Sequence, residues 1–346
     1  MPRPKPRFLA LLAAALLLSA CERPPREVVL TGPTMGTTWT VRVVPEGEGR
    51  IDAETLRSLV QSSLEEVDAA MSTYRTDSAV SRFNASESLD WVAVPASLAR
   101  LVALALQIGD ATGGALDITV SPVVKLWGFG NAVRREQPPT DREIAAAQAD
   151  TGQRHLAVQL EPPALRKARP GLTLDLDSIA PGYAADLLAE RLEAAGQRRY
   201  MIDIGGELRV RGHNAQGEPW RIGIERPEAL QRSVERVIRL EDGAVSTSGD
   251  YRDFFESAGV RYSHTLDPRS GRPVAHGLAS VTVLRPTAAE ADGIATALTV
   301  LGPIEGYELA ERLGWAALFI ERTPDGFRHR ETGAFKQAAQ TRESGP

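Results

Sequence analysis

Tyr183-Ala-Ala-Asp-Leu-Leu-Ala-Glu-Arg-Leu-Glu-Ala-Ala-Gly196, then Tyr200-Met-Ile-Asp-Ile204, Gly205-Gly206 and Glu207-Leu-Arg-Val-Arg211, form the stretch on which the fold class turns. The first segment predicts a helix over 183–195 ended by Gly196, since glycine readily takes the left-handed conformation that closes a helix. Two strand-like runs follow it back to back across a Gly-Gly turn. A doubly wound or barrel fold alternates strand and helix regularly, and this stretch does not, which points to the α+β class.

Working outward, the same irregularity holds. Downstream come strand-like runs at 220–224, 234–239, 262–266 and 278–284, helices at 288–301 and 304–313, and a strand at Ala316–Ile320. Upstream, Glu27–Leu30 and Thr38–Val44 look like strands. Residues 52–71 carry Leu56, Leu59, Val60, Leu64, Val67 and Met71 at helical spacing. A second apolar helix spans 96–111 and ends at Thr112-Gly113-Gly114, and Thr140 opens a weaker one at 141–149. His155–Leu160 and Leu172–Leu176 look like two short strands joined by a Pro-rich loop. With no internal repeat and no long linker, the expectation is a single large mixed domain over 33–335, followed by a frayed tail at 336–346.

The composition is globular: 42% of residues are hydrophobic and 25% charged, which argues against disorder and coiled coil. The net charge is −5, and the first twenty residues contribute Arg3, Lys5 and Arg7 but no acid, so the remainder stands at 37 basic against 45 acidic, or −8. A nucleic-acid binder needs a basic footprint, and none is present. The basic start and the apolar run Phe8–Leu18 form an export signal too short to span a membrane. It ends in Leu18-Ser19-Ala20-Cys21, the pattern of a bacterial lipoprotein cleavage site, and Cys21 is the only cysteine. The expected organisation is a signal peptide at 1–20, then a lipidated tether at 21–32 that anchors the chain at the periplasmic face of an envelope membrane. An ordinary signal peptide with a chance cysteine is the alternative.

Three features can carry chemistry. Thr287 and Glu290 have the spacing of a capping box, which starts a helix on which Asp292 and Thr296 are stacked at i and i+4. A carboxylate beside neutral oxygens suits a hard cation such as Mg²⁺; the plainer reading leaves both residues facing solvent. Ser263-His264-Thr-Leu-Asp267-Pro268 offers His264 as a base for a hydroxyl, or as a histidine satisfied by its turn. Glycine turns at 113–114, 182 and 205–206 let backbone approach a ligand, yet none makes a dinucleotide fingerprint or a P-loop.

Set in order, these pieces resemble the ApbE family, the FAD:protein FMN transferases of bacterial envelopes. The matching stretches include Met35-Gly-Thr-Thr-Trp39, Ser72-Thr-Tyr74, Gly114-Ala-Leu-Asp117, Trp127-Gly-Phe-Gly130 and Asp175-Leu-Asp-Ser-Ile-Ala180. Asp203-Ile-Gly-Gly-Glu207, Thr247-Ser-Gly-Asp-Tyr-Arg252, Ser263-His-Thr-Leu-Asp-Pro268 and Asp292 through Thr296 follow in one collinear order. The resemblance implies a Mg²⁺-dependent enzyme that attaches FMN from FAD to a Ser or Thr hydroxyl and releases AMP. It implies acceptors among flavin-carrying subunits of envelope respiratory complexes, of the sodium-pumping quinone reductase or Rnf type. Carried over by position, Mg²⁺ would sit at Ala180, Asp292 and Thr296. FAD would contact Met35, Tyr74, Ala115, Leu116, Asp117, Asp177, Tyr183 and Leu266, and His264 would be the base. The family's site lies in a central cleft. Two departures stand out: Pro181 replaces a common lysine, and Ala295 replaces a second carboxylate found in some relatives. A Mg²⁺-dependent FAD pyrophosphatase and a non-catalytic FAD-binding lipoprotein are the alternatives.

Overall fold

The computed structural model describes residues 27–340 apart from 48–50, 131, 134, 136, 229–232, 250–253 and 258. Eight strands build its main sheet: β1 (Val28–Thr34), β2 (Thr37–Val43), β3 (Tyr200–Ile204), β4 (Glu207–Arg211), β5 (Asp242–Gly249), β6 (Leu278–Arg285), β7 (Ala316–Thr323) and β8 (Gly326–Glu331). Their order in the sheet is their order in the chain, and every neighbouring pair is antiparallel. Every other described helix and strand is inserted between consecutive strands of this sheet or follows the last. The decisive hairpin of β3 and β4 sits inside this sheet, with Ile204 paired to Glu207 across Gly205-Gly206.

The helices are α1 (Ala53–Met71), α2 (Ala79–Ala85), α3 (Ala96–Ala111), α4 (Ser121–Leu126), α5 (Asp141–Gln148), α6 (Ala180–Ala194), α7 (Ala288–Leu313) and α8 (Gly333–Gln340). The first six all fall between β2 and β3. The period-two alternation of the strands gives the sheet two apolar faces. Ala317 and Phe319 of β7 join the main core with α1, α3, α6 and α7. Leu318 and Ile320, one residue out of phase, join a second core beneath the hairpin Trp220–Glu225/Val234–Leu240 and Phe335 of α8. A third, smaller cluster unites Trp127, Phe129, Ile144 and Leu266 beside the hairpin Phe254–Ser257/Val260–Ser263.

Several expectations need correction. The domain begins at Val28, because β1 pairs with β2 from Val28 opposite Val43, so residues 28–32 are sheet and not tether. It continues past 335, because α8 runs to Gln340 and buries Phe335 completely. Residues 1–26, with the signal and Cys21, and residues 341–346 lie outside the described residues. Leu172–Leu176 is extended but joins no sheet; the strand partnering 156–160 is Pro163–Lys167. The expected strand at 262–266 breaks at His264, where the Ser263 hydroxyl accepts the Thr265 N–H at 3.1 Å and turns the chain. β5 was not anticipated, since its Ser246-Thr-Ser248 run lacks the apolar alternation that marks a strand. By contrast, the two helices expected at 288–301 and 304–313 are both present: they follow one another in α7 across Gly302, whose backbone is not helical (φ 81°, ψ −174°), ahead of Pro303.

Candidate active site

A cavity of about 460 Å³ opens where three of the insertions meet. The β2–β3 insertion contributes Tyr74, the turn after α3, and the segment before α6. The β5–β6 insertion contributes His264 and Leu266, and α7, between β6 and β7, contributes Asp292 and Thr296. The volume falls in the range of about 300–1,000 Å³ usual for small-molecule clefts.

Each wall is fixed locally. α3 ends at Thr112, and Gly113 and Gly114 both take positive φ (62° and 81°), bringing Ala115 and Leu116 to the cavity. Asp117 lines it too, but its carboxylate is engaged in holding the turn. Oδ1 accepts from the Thr119 N–H at 2.8 Å and hydroxyl at 2.6 Å, and Oδ2 from the Gln153 N–H at 3.0 Å. The Asp175 N–H donates to Ile118 O at 2.7 Å and stitches this turn to the next wall. There the Asn84 side chain pairs with both backbone groups of Leu174, at 2.7 and 2.9 Å. The buried Lys167 ammonium donates to the carbonyls of Phe83, Asn84 and Leu172 at 3.1–3.3 Å. These side-chain bonds replace the strand ladder expected at 172–176 and present Asp175 and Asp177 to the cavity.

A further wall is α7. Its start is not the capping box read from Thr287 and Glu290. Thr287 makes no side-chain cap, and Glu290 is ion-paired with Arg285. Asp186 of α6 caps the helix instead, accepting from the Ala288 and Ala289 N–H groups at 2.8 and 2.9 Å. The helices meet so closely that a Cβ on Gly182 would stand 2.4 Å from the Ala288 carbonyl oxygen. That approach lets the Gly182 N–H donate to Asp292 Oδ2 at 3.1 Å, so the anion at the N-terminus of α6 is a carboxylate of the protein itself. Asp292 is 5% exposed and faces the cavity, not bulk solvent. Thr296 lies one turn along, its hydroxyl 3.2 Å from that of Ser248.

Of the residues expected at the site, Tyr74, Ala115, Leu116, Asp117, Asp177, His264, Leu266, Asp292 and Thr296 all line this one cavity. Three do not. Met35 stands in the β1–β2 turn, strained at φ 41°. Ala180 opens α6 and is buried there. Tyr183 turns its hydroxyl to Arg100 of α3. Asp175, Glu207 and Ser248 line the cavity without having been singled out, although each lies in a quoted stretch. Their signal was the position of those stretches; only the folded chain brings them together.

The electrostatics are lopsided. Burial raises the carboxyls of Asp175, Asp177, Glu207 and Asp292 above the usual range. For Glu207 the charge of Asp292 adds to burial, and for Asp177 that of Asp175 does, while a hydrogen bond from Tyr74 opposes it. No Lys or Arg lines the cavity among the described residues. A phosphate-bearing ligand would therefore meet carboxyls, hydroxyls and His264 but no Lys or Arg among the described residues, so a cation entering with it would offset the acids. The donor set fits Mg²⁺: Asp292 offers one carboxylate oxygen beyond that held by Gly182, and Thr296 offers a hydroxyl. Among the described residues no three His, Cys, Asp or Glu side chains form a metal cage.

Comparison with known proteins decides the family. The ApbE family profile matches residues 35–319. The chain belongs to the ApbE family. A Vibrio cholerae protein named FAD:protein FMN transferase is 45% identical over 95% of this chain and 98% of its own length. Its Escherichia coli K12 namesake is 42% identical over 95% and 96%. Among solved structures, the flavin transferase ApbE from Vibrio cholerae superposes with a TM-score of 0.84 at 44% identity, covering 91% of this chain and 99% of that one. The apo flavinyl transferase ApbE of Pseudomonas stutzeri gives 0.83 at 44% identity, over 91% and 97%. These ApbE structures share the single mixed domain.

Proposed function

We infer that this chain is an FAD:protein FMN transferase, moving FMN from FAD to a Ser or Thr hydroxyl of an acceptor protein and releasing AMP. The observation that carries the reading is that one cavity holds both halves of the chemistry. His264, the residue suited to act as a base, lines the same cavity as Asp292 and Thr296, the residues suited to hold a cation.

In the reaction, the acceptor oxygen forms a bond to the FMN-side phosphorus, and the pyrophosphate bond to AMP breaks. The proton of the acceptor hydroxyl passes to the His264 imidazole. Tyr74 and Leu266 offer apolar surface against which a flat ring can pack. Phe129 stands beside His264 in an edge arrangement, with ring centroids 6.5 Å apart and planes at 72°. Asp292 and Thr296 would hold Mg²⁺, which would supply a Lewis acid where charge develops on the leaving phosphate, whereas Ala180 lies buried in α6 away from the cavity lining. Pro181 replaces a basic residue without disturbing α6, whose first turn tolerates proline.

The lipoprotein pattern at Cys21 supports attachment to an envelope membrane at its periplasmic face; no described helix is long and apolar enough to cross one. The acceptors proposed are flavin-carrying subunits of envelope respiratory complexes. The test gives the purified protein FAD, Mg²⁺ and such an acceptor domain. An acceptor heavier by one FMN, with AMP released, is the expected result. Free FMN and AMP beside an unmodified acceptor would make it a pyrophosphatase, and intact FAD would make it a flavin-binding lipoprotein.

A further inference from the structure

Two threonines on the cavity side of α7 use their hydroxyls differently. Thr299 follows the habit of a threonine inside a helix, donating to the carbonyl of Ala295, four residues back, at 2.8 Å. Thr296 meets instead a side chain from another element, the Ser248 hydroxyl of β5, at 3.2 Å. α7 lies across β5 and β6, and the β5 side chains at 246 and 248 point to the same face. Ser246, fully buried, places its hydroxyl 3.5 Å from Glu207 Oε1. Two serines of β5, at alternate positions on one face, therefore set their hydroxyls against oxygen groups of this cavity.

A threonine hydroxyl has one proton and two lone pairs. If its oxygen is to face a cation, the proton must point away from the ion and find an acceptor. We propose that Ser248 is a positioning residue, accepting the Thr296 hydroxyl proton so that an oxygen lone pair of Thr296 is turned into the cavity beside Asp292. The proposal rests on the reading of Asp292 and Thr296 as Mg²⁺ ligands and adds the residue that orients one of them. Partners of this kind are worth about 10–100-fold in metal affinity elsewhere.

The experiment titrates Mg²⁺ alone, without FAD or acceptor, into the full chain and follows the rise in melting temperature. Ser248→Ala is expected to raise the half-saturating Mg²⁺ concentration about tenfold, with the metal-free melting temperature unchanged. Ser248→Thr, which keeps the hydroxyl, should restore wild-type affinity. Unchanged Mg²⁺ response in Ser248→Ala, or equal weakening in both variants, overturns the proposal. Thr296→Ala separates the two readings. If it weakens Mg²⁺ while Ser248→Ala does not, only the role of Ser248 is lost. If it too has no effect, or the wild type itself does not respond, the metal assignment fails. A lowered metal-free melting temperature in Ser248→Ala is resolved by the double variant. Acting through Thr296, Ser248→Ala should change nothing further once Thr296 is alanine, and additive losses would overturn the proposal.

Discussion

The two walls of the cavity are built to different standards. The wall of α6 and α7 is packed: Gly182 sits on the Ala288 carbonyl, Asp186 caps the neighbouring helix, and Asp292 is almost wholly buried. The other wall is made of connections. His264 stands in a bend between two short strands, and Tyr74, 63% exposed, stands on a turn braced by Arg75 against Glu65, Asp68 and Asp77. The difference suits the reaction proposed. Groups that hold a developing charge gain from rigidity and low dielectric, because they then need no reorganisation. Groups that receive a protein substrate must remain reachable.

The sharpest way to test that contrast is Asp292→Asn, which keeps the shape of the packed wall while removing its charge. Mg²⁺-dependent turnover should fall by about 10³-fold, the scale of several kcal/mol of lost electrostatic stabilisation. Activity near wild type would remove Asp292 from the chemistry. On the open wall, His264→Ala should slow transfer about 10²-fold through loss of the base, while FAD affinity, followed by flavin fluorescence, stays as it was. If the transfer rate holds, another group takes the proton.

Gly182→Ala probes packing alone. The added Cβ meets backbone and has nowhere to go, so a loss of about 1–3 kcal/mol is expected in chemical denaturation. Wild-type stability would mean that the two helices are free to part. The smallest effect concerns Asp186, whose carboxyl burial pushes up to about 6 against an ordinary 3.8. The folded state then holds a proton that the unfolded state has lost, so this group makes stability decline as pH rises from about 4 to about 6. In Asp186→Asn that part of the slope should vanish, whatever the overall stability; an unchanged slope would refute the assignment.

Much of this molecule was legible in its sequence because the signals were local. Gly196 ends α6 and takes φ 76°, and the 200–204 and 207–211 runs are β3 and β4 to the residue. Thr140 and Glu143 form the reciprocal cap of α5 at a helix start already marked by proline and threonine. Asp292 and Thr296 share a face because four residues make nearly one helical turn. Nine of the twelve expected site residues gather in one cavity for a further reason: resemblance to a family carries tertiary information that spacing alone does not hold.

Where reading failed, a distant partner had intervened. The Thr287–Glu290 spacing promised a cap, but Asp186, about a hundred residues earlier, took the free N–H groups and Arg285 took the glutamate. Leu172–Leu176 had the composition of a strand, yet Asn84 and Lys167 satisfied its backbone from the side. β5 escaped notice because its hydroxyls are matched by partners elsewhere: Thr247 by Thr282 at 2.8 Å, and Ser248 by Thr296. The sequence by itself determined most of the helices, the hairpin of β3 and β4 and where they stop, since these depend on neighbours a few residues away. Only the tertiary structure decided which polar groups face one another. A buried donor or acceptor must be satisfied by whatever the packing brings to it, and here that packing collects the site from three separate insertions in one sheet.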